Sequence, residues 1–174
     1  RTEKPLPTVI MVVGSDMEVG KTTTAAAAIR HLTAGGYRTG GAKLTGTSRM
    51  KDLFAMKDAG AESILDFVDF GVPSTSGASA RFLSAIFDGM RAHFAENDCR
   101  CMVIEVADGI FQPETHAVLN RREIMDQVSL LLFSAADSVG ACGGCSILQR
   151  MGCTPDFVSG LVTTSELRTA ELNA

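Results

Sequence analysis

Near its start the chain runs from an unbroken apolar stretch, Thr8-Val-Ile-Met-Val-Val13, into Gly14-Ser-Asp-Met-Glu-Val-Gly20-Lys21-Thr22-Thr23, and then into a run of alanines. No other feature constrains the fold as strongly. The apolar stretch does not alternate with polar residues, so both of its faces must be covered, as in a buried parallel strand. Lys21 to Leu32 reads as a helix, rich in alanine and followed by Gly35-Gly36. A glycine-bounded turn between strand and helix lets successive backbone N–H groups face a phosphate, and the helix N-terminus adds partial positive charge. Lys21 can reach the outer phosphate oxygens, and the Thr22 hydroxyl can ligate Mg²⁺. The expected nucleotide-binding residues are Ser15, Asp16, Met17, Glu18, Val19, Gly20, Lys21, Thr22 and Thr23. Gly14 lies six residues before Gly20, one more than the plain motif has, so Ser15 holds the usual first-glycine position.

The rest of the chain alternates in kind. Further strands are expected at Arg38–Leu44, Ile64–Phe70, Cys101–Val106, Val128–Phe133 and Phe157–Val162. Helices are expected over Asp52–Ala59, over Ser79–Glu96 and around Ile147–Met151, with a partly helical stretch from Thr115 to Gln127. In Ser79–Glu96 the apolar residues Phe82, Leu83, Ile86, Phe87, Met90 and Phe94 recur at helical spacing, which implies one buried face. Residues 1–7 hold two prolines and three charges and read as a loose lead-in. Such alternation implies an α/β chain with a mostly parallel sheet and helices on both faces; together with the Lys-Thr loop after the first strand, the expected fold is a three-layer P-loop NTPase fold. With 174 residues and neither repeat nor linker, residues 1–174 read as a single nucleotide-binding domain. The first residue is Arg and not Met, which fits a processed product or a piece of a longer chain.

Composition excludes several functions. A net charge of −4 argues against a nucleic-acid partner, and one Tyr with no Trp argues against a base-stacking platform. No apolar run approaches the ~20 residues of a membrane span, so no membrane partner is expected. Five cysteines, an odd number without a compact framework, point to a reducing cytoplasm. Cys142-Gly-Gly-Cys145 has the spacing of a redox or metal pair, but no second pair accompanies it; free thiols acting as small packing residues are the plainer reading. His31 and His93 fall on predicted helices, while His116 follows the Glu105 loop and is a candidate to touch substrate.

Four charged residues join the phosphate loop as candidates. Glu105 closes the apolar strand Cys101-Met-Val-Ile104, where a rigid strand can aim a carboxylate at Mg²⁺ beside the phosphates. Asp108 is an alternative ligand. The plain reading of Glu105 is an acid closing a strand at the surface. Asp52 lies in a first helical turn, where an acid either ligates metal or merely favours the helix dipole. Lys43 ends the second strand, on the edge where open α/β sheets bind ligands; it stabilises an anion there or sits in solvent. The loop Pro73-Ser-Thr-Ser-Gly77 precedes a helix, and its hydroxyls either hold an anion or cap that helix.

The loop from Gly14 to Thr22 resembles the phosphate loop of dethiobiotin synthetase, which reads G-T-D-T-x-V-G-K-T. That family shares a branch of P-loop proteins with cobyrinic acid amidases and MinD-type ATPases. The resemblance continues in order over roughly residues 8 to 165. Ala34-Gly-Gly-Tyr-Arg-Thr-Gly-Gly-Ala-Lys43 is similar to the family's A-G-Y-R-T-x-x-Y-K-P segment, and Val103-Ile-Glu-Val-Ala-Asp-Gly109 to its V-x-E-G-A-G-G segment. The resemblance implies catalytic roles for Lys21, Lys43 and Thr47. It implies a metal set of Thr22, Asp52 and Glu105, with ATP and Mg²⁺ as cofactors and a homodimer or other homo-oligomer as the assembly. Met17, Val106, Asp108 and Thr164 depart from the family. Thr164 stands where the family has an asparagine that reads adenine, and cannot present the same paired donor and acceptor.

The expected function is ATP-dependent ligation or phosphoryl transfer to a small carboxylate or amine substrate, other than the family's own diaminopelargonate. The alternative is a nucleotide-switch or regulatory ATPase domain of a larger protein. MinD-type switches carry a lysine where this loop has Asp16, which favours the enzyme.

Overall fold

The opening apolar stretch forms β1 (Thr8–Gly14), and its residues Met11, Val12 and Val13 are fully buried. Five more strands join it: β2 (Thr39–Lys43), β3 (Ile64–Asp66), β4 (Cys101–Glu105), β5 (Val128–Ser134) and β6 (Phe157–Ser159). The computed structural model describes residues 4–172, so residues 1–3 of the expected lead-in lie outside the described residues. The sheet order is β3-β2-β4-β1-β5-β6, and every pairing among the described residues is parallel. Order and direction together bring the carboxyl ends of all six strands to one edge.

Strand residues alternate between two cores. On one face Ile10, Val12, Cys101 and Val103 meet Ala25 and Ile29 of α1 (Lys21–Ala34) and Met56 of α2 (Met50–Asp58). On the other, Met11, Val13, Met102 and Ile104 share a larger core with four helices. These are α3 (Ala80–Glu96), α4 (Pro113–Leu119), α5 (Arg122–Met125) and α6 (Ser138–Arg150). The apolar stripe predicted for α3 is the buried one: Leu83, Ile86, Phe87, Met90 and Phe94 all lie inside, while Phe82 is exposed. A last helix, α7 (Glu166–Leu172), runs beside α6, where Ser138 Oγ donates to Glu171 at 2.6 Å.

Two expected strands are shorter than the sequence suggests. Ile64–Phe70 pairs only through Asp66 and then turns into a 3₁₀ helix over Phe67–Phe70. The acids cause this. Asp66 accepts from the Val68 N–H, and Asp69 accepts from the Asp66 N–H at 2.9 Å, a reciprocal cap that starts the turn. Phe157–Val162 likewise pairs only to Ser159; Gly160, with φ 96°, turns the chain into a 3₁₀ helix over Leu161–Thr164. The expected loop from Gly109 to Thr115 becomes helical at Pro113, which suits a first helical position.

The close approach of α6 to β5 depends on Gly144. A Cβ there would collide with the ring of the fully buried Phe133, whereas one on Gly143 would meet nothing within 4 Å. Helix propensity favours Ala over Gly by about 1 kcal/mol at both sites, and overpacking a rigid ring costs about 1–3 kcal/mol. Urea unfolding should therefore show Gly143→Ala more stable than wild type by up to about 1 kcal/mol. Gly144→Ala should be less stable by about 1–2 kcal/mol. Equal shifts for both variants would mean that helix α6 does not rest on Phe133.

Candidate functional site

Parallel register assembles the site. Lys43, the last residue of β2, pairs with Glu105, the last of β4, which in turn pairs with Val12 of β1. Neighbouring residues in register point to the same face. Lys43 and Glu105 thus stand side by side on the α1 side, where the Thr22 hydroxyl in the first turn of that helix lies close enough to favour the ionised Glu105 carboxyl. Both strand-end residues are deeply buried, Lys43 at 4% exposure and Glu105 at 3%. This corrects the readings of a solvent lysine and of a surface acid.

Lys21 is 5% exposed, and its Nζ donates to the backbone oxygen of Asp16 at 2.6 Å, across its own loop. Burial lowers its pKa most; the charges of Glu105, Asp108 and Asp16 oppose that, and Lys43 adds to it. Burial likewise pushes the Glu105 carboxyl up, while Lys43, Thr22 and Lys21 pull it back and Asp52 pushes further. Asp52, in the first turn of α2, forms an ion pair with Lys43. The structure thus brings Lys21, Thr22, Lys43, Asp52 and Glu105 into one electrostatic cluster.

The loop itself is held at several points. Ser15 N–H donates to Ser134 O at 2.9 Å, Ile110 N–H to Gly14 O at 3.0 Å and Leu161 N–H to Val19 O at 3.0 Å. Val19 is buried, Ser15, Gly20 and Thr22 are half-buried, and Asp16, Met17, Glu18 and Thr23 are exposed. Gly20 has φ 100° and sits against Gly160, so neither glycine has room for a side chain. Behind the helix start, Thr24 shares hydrogen bonds with Ser134 and Ser159 at 3.2 and 3.0 Å.

Mg²⁺ fits the residues present. Glu105 Oε2 is buried and has no hydrogen-bond partner among the described residues, an arrangement that a cation would satisfy. No cluster of three or more His, Cys, Asp or Glu side chains is placed to hold a metal among the described residues. Mg²⁺ needs no such cluster, since it takes one or two carboxylates and completes its shell with water and phosphate.

Beside this cluster lies a cavity of about 160 Å³ between the turn after β2, the 73–77 loop and the turn after β4. Thr47 lines it and forms an isolated bridge with Ser74. The hydroxyls of the 73–77 loop do not cap α3. Ser79 is the cap, and Thr75 instead clasps Gly46, accepting from its N–H at 2.8 Å while the Thr75 N–H donates to Gly46 O at 3.0 Å. Sequence reasoning missed Thr45, Gln112, Glu114 and Thr115. Thr45 and Thr115 both donate to the carbonyl of Ala107 and hold the turn that carries Asp108. Residues so far apart in sequence give no local signal of meeting. His116 lies exposed on α4, hydrogen-bonded with Asn120, and does not line the cavity. All five cysteines are free thiols. No helix among the described residues is long and apolar enough to cross a membrane.

No protein-family model matches the chain, and no curated protein matches it. Solved structures do. The signal recognition particle 54 kDa protein of Aeropyrum pernix K1, in complex with GDP, superposes with a TM-score of 0.66 at 18% identity, over 97% of this chain and 38% of that one. The signal recognition particle receptor FtsY of Elizabethkingia anophelis, also in complex with GDP, gives 0.64 at 17%, over 92% and 51%. Chloroplast FtsY of Physcomitrella patens gives 0.63 at 16%, over 92% and 52%. The chain therefore spans about half or less of the length of these neighbours. At such identities the likeness carries the fold, that of the P-loop NTPases. The resemblance to dethiobiotin synthetase rests on the motifs alone.

Burial gives Glu105 a stability signature. Its folded pKa is raised, so the native state holds more protons than the unfolded state between the ordinary carboxylate range and the raised value. Stability from this group is present below that window and is lost as pH rises through it. The apo wild type should therefore lose stability relative to Glu105→Gln across that window, as followed by urea midpoints at a series of pH values. In the same variant the gain in melting temperature from Mg²⁺-nucleotide should shrink. A variant much less stable than wild type at every pH would make Glu105 a structural residue instead.

Proposed function

We propose that the chain binds a Mg²⁺-nucleoside triphosphate at residues 14–23 and transfers its terminal phosphoryl group to a carboxylate or carbamate oxygen of a small substrate, releasing the nucleoside diphosphate, after which an amine or carbamate nitrogen displaces the phosphate to close an amide or ring, as in a dethiobiotin-synthetase-like ligase. The observation that supports this most is the gathering of Lys21, Thr22, Lys43 and Glu105 at one sheet edge, with a polar cavity beside them. Lys21 exchanges its bond to the Asp16 carbonyl for the phosphate oxygens. Lys43, already buried and desolvated, stabilises the charge that develops on the transferred group, an electrostatic contribution that a dry site strengthens. Thr22 and Glu105 hold Mg²⁺, with Asp52 close by. The ion neutralises charge on the phosphoryl oxygens when bound. Thr47 lines the cavity where the acceptor would sit.

The second reading is a nucleotide-switch domain of a larger protein. It is favoured by neighbours that were solved with GDP and that are about twice the length of this chain or more. The two readings part on one measurement. A ligase releases phosphate in proportion to an added acceptor, and a switch hydrolyses nucleotide at a rate that no small acceptor changes.

Lys21→Ala should abolish tight nucleotide binding in titration calorimetry, since it removes the one loop cation. Equal affinity in the variant would refute the site. Base selection should be loose. Thr164 lies in the 3₁₀ helix rather than at a strand end, and its hydroxyl donates to Leu161 O at 2.7 Å. Without a paired amide reader only packing and single hydrogen bonds remain, each worth roughly 1 kcal/mol. ATP and GTP affinities should then lie within about tenfold, or 1.4 kcal/mol. A preference of several hundredfold would require a reader other than Thr164.

A further inference from the structure

The cavity beside the phosphate loop has a definite chemical character. Its volume of about 160 Å³ is close to that known to hold a benzene-sized group. Its walls are not apolar. Thr47, Ser74 and Ser76 offer hydroxyls and Gln112 an amide, while the ionisable lining residues are two carboxylates, Asp108 and Glu114. No Lys, Arg or His lines it.

The walls are also built in advance. The Gly46–Thr75 clasp and the Thr47–Ser74 bridge lock two loops together, and Ser74 Oγ donates to Gly46 O at 3.3 Å. Glu114 accepts from the Gly77 N–H at 2.6 Å, which ties the third wall to the second. Thr45 and Thr115 fix the Ala107 carbonyl, immediately before Asp108. The side chain of Asp108 enters no hydrogen bond among the described residues. Gly109 holds this wall against the phosphate loop, since a Cβ there would lie 2.7 Å from Ser15 O and 2.9 Å from Asp16 Cα. Whatever fills the cavity therefore sits next to the phosphates.

From this we infer that the cavity takes a small, hydroxyl-bearing primary amine in its ammonium form, and rejects dicarboxylates. The inference rests on the proposed function for calling this ligand a substrate, which it narrows from carboxylate or amine to amine; it concerns binding, since an ammonium nitrogen has no lone pair and accepts no phosphoryl group. An ammonium supplies three donors to a cavity whose charged groups only accept. Hydroxyls on the ligand match the hydroxyls of Thr47, Ser74 and Ser76. A dicarboxylate meets two like charges and no cation among the lining residues, an arrangement that disfavours it.

Serinol, glycerol and malonate share a three-carbon frame and differ in charge, so they test the inference directly. The probes are titrated into the apo protein and read by amide chemical shifts in a ¹H–¹⁵N spectrum, and nucleotide affinity is measured separately. Serinol should move the amides of Gly46, Thr47, Ser76 and Gly77, with an affinity at least tenfold above those of glycerol and malonate. Glu114→Gln keeps an oxygen for the Gly77 N–H and removes the charge, and should weaken serinol about tenfold. Malonate binding as well as serinol, no probe moving those amides, or serinol unaffected by Glu114→Gln would each overturn the inference. The wild-type comparison of the three probes decides it even if the variant does not fold. Loss of nucleotide binding with serinol still seated in the cavity would overturn the proposed function and leave the cavity's preference standing.

Discussion

The site depends on one electrostatic compromise, the burial of Glu105 between Lys43 and Lys21. A carboxylate at 3% exposure with one oxygen unpaired costs free energy unless something compensates. Parallel register sets Lys43 beside it, and the start of α1 adds the Thr22 hydroxyl and Lys21. These partners lessen the cost without removing it, since the carboxyl pKa stays raised. Lys21 pays a matching penalty, with its own pKa lowered by burial. On the proposed reading, a dication and a polyphosphate would relieve the residual strain at this place.

Around this compromise the backbone is drawn tight by glycines rather than by side chains. Gly20 against Gly160 brings the phosphate loop onto the turn after β6, and Gly109 against Ser15 brings the turn after β4 onto the same loop. Each contact leaves no space for a Cβ. The loop is thus clamped from two sides, and its exposed residues, Asp16, Met17 and Glu18, project from a fixed base. Met17 is 57% exposed, an apolar side chain where the resembled family has a hydroxyl.

Much of this was legible because strong local signals coincide with tertiary roles. β1 has both faces buried, so its sequence is continuously apolar, and α1 follows a loop whose residues admit few other uses. The α3 stripe from Leu83 to Phe94 is the packed face, because burial and periodicity are the same fact seen twice. The edge strands were harder. β3 and β6 pair through three residues each, and what ends them is a reciprocal Asp cap in one case and a glycine turn in the other. Such features compete with strand pairing only once the neighbours are in place. At the site, Lys43 and Glu105 could be picked out as strand ends, but their adjacency is a matter of register, which no local pattern encodes. The cavity was the least legible part. Its walls come from three loops, joined by hydrogen bonds between residues 28 to 62 positions apart.

The distribution of charge gives the two halves of the sheet edge different tasks. Toward the phosphate loop two ammonium groups, Lys21 and Lys43, face Glu105, Asp52 and Asp108. The carboxylates outnumber the cations, so a bare triphosphate would bring further negative charge to a site already short of positive charge. A divalent cation reverses that balance, and the unpaired oxygen of Glu105 is the group on the protein best placed to receive it. No Lys, Arg or His lines the cavity, and Asp108 stands at the boundary, lining the cavity while its charge also acts on Lys21. On the proposed reading, one carboxylate thus separates a region suited to a metal-bound polyanion from one suited to a cation. Two substrates of opposite charge could then lie side by side without either occupying the other's place.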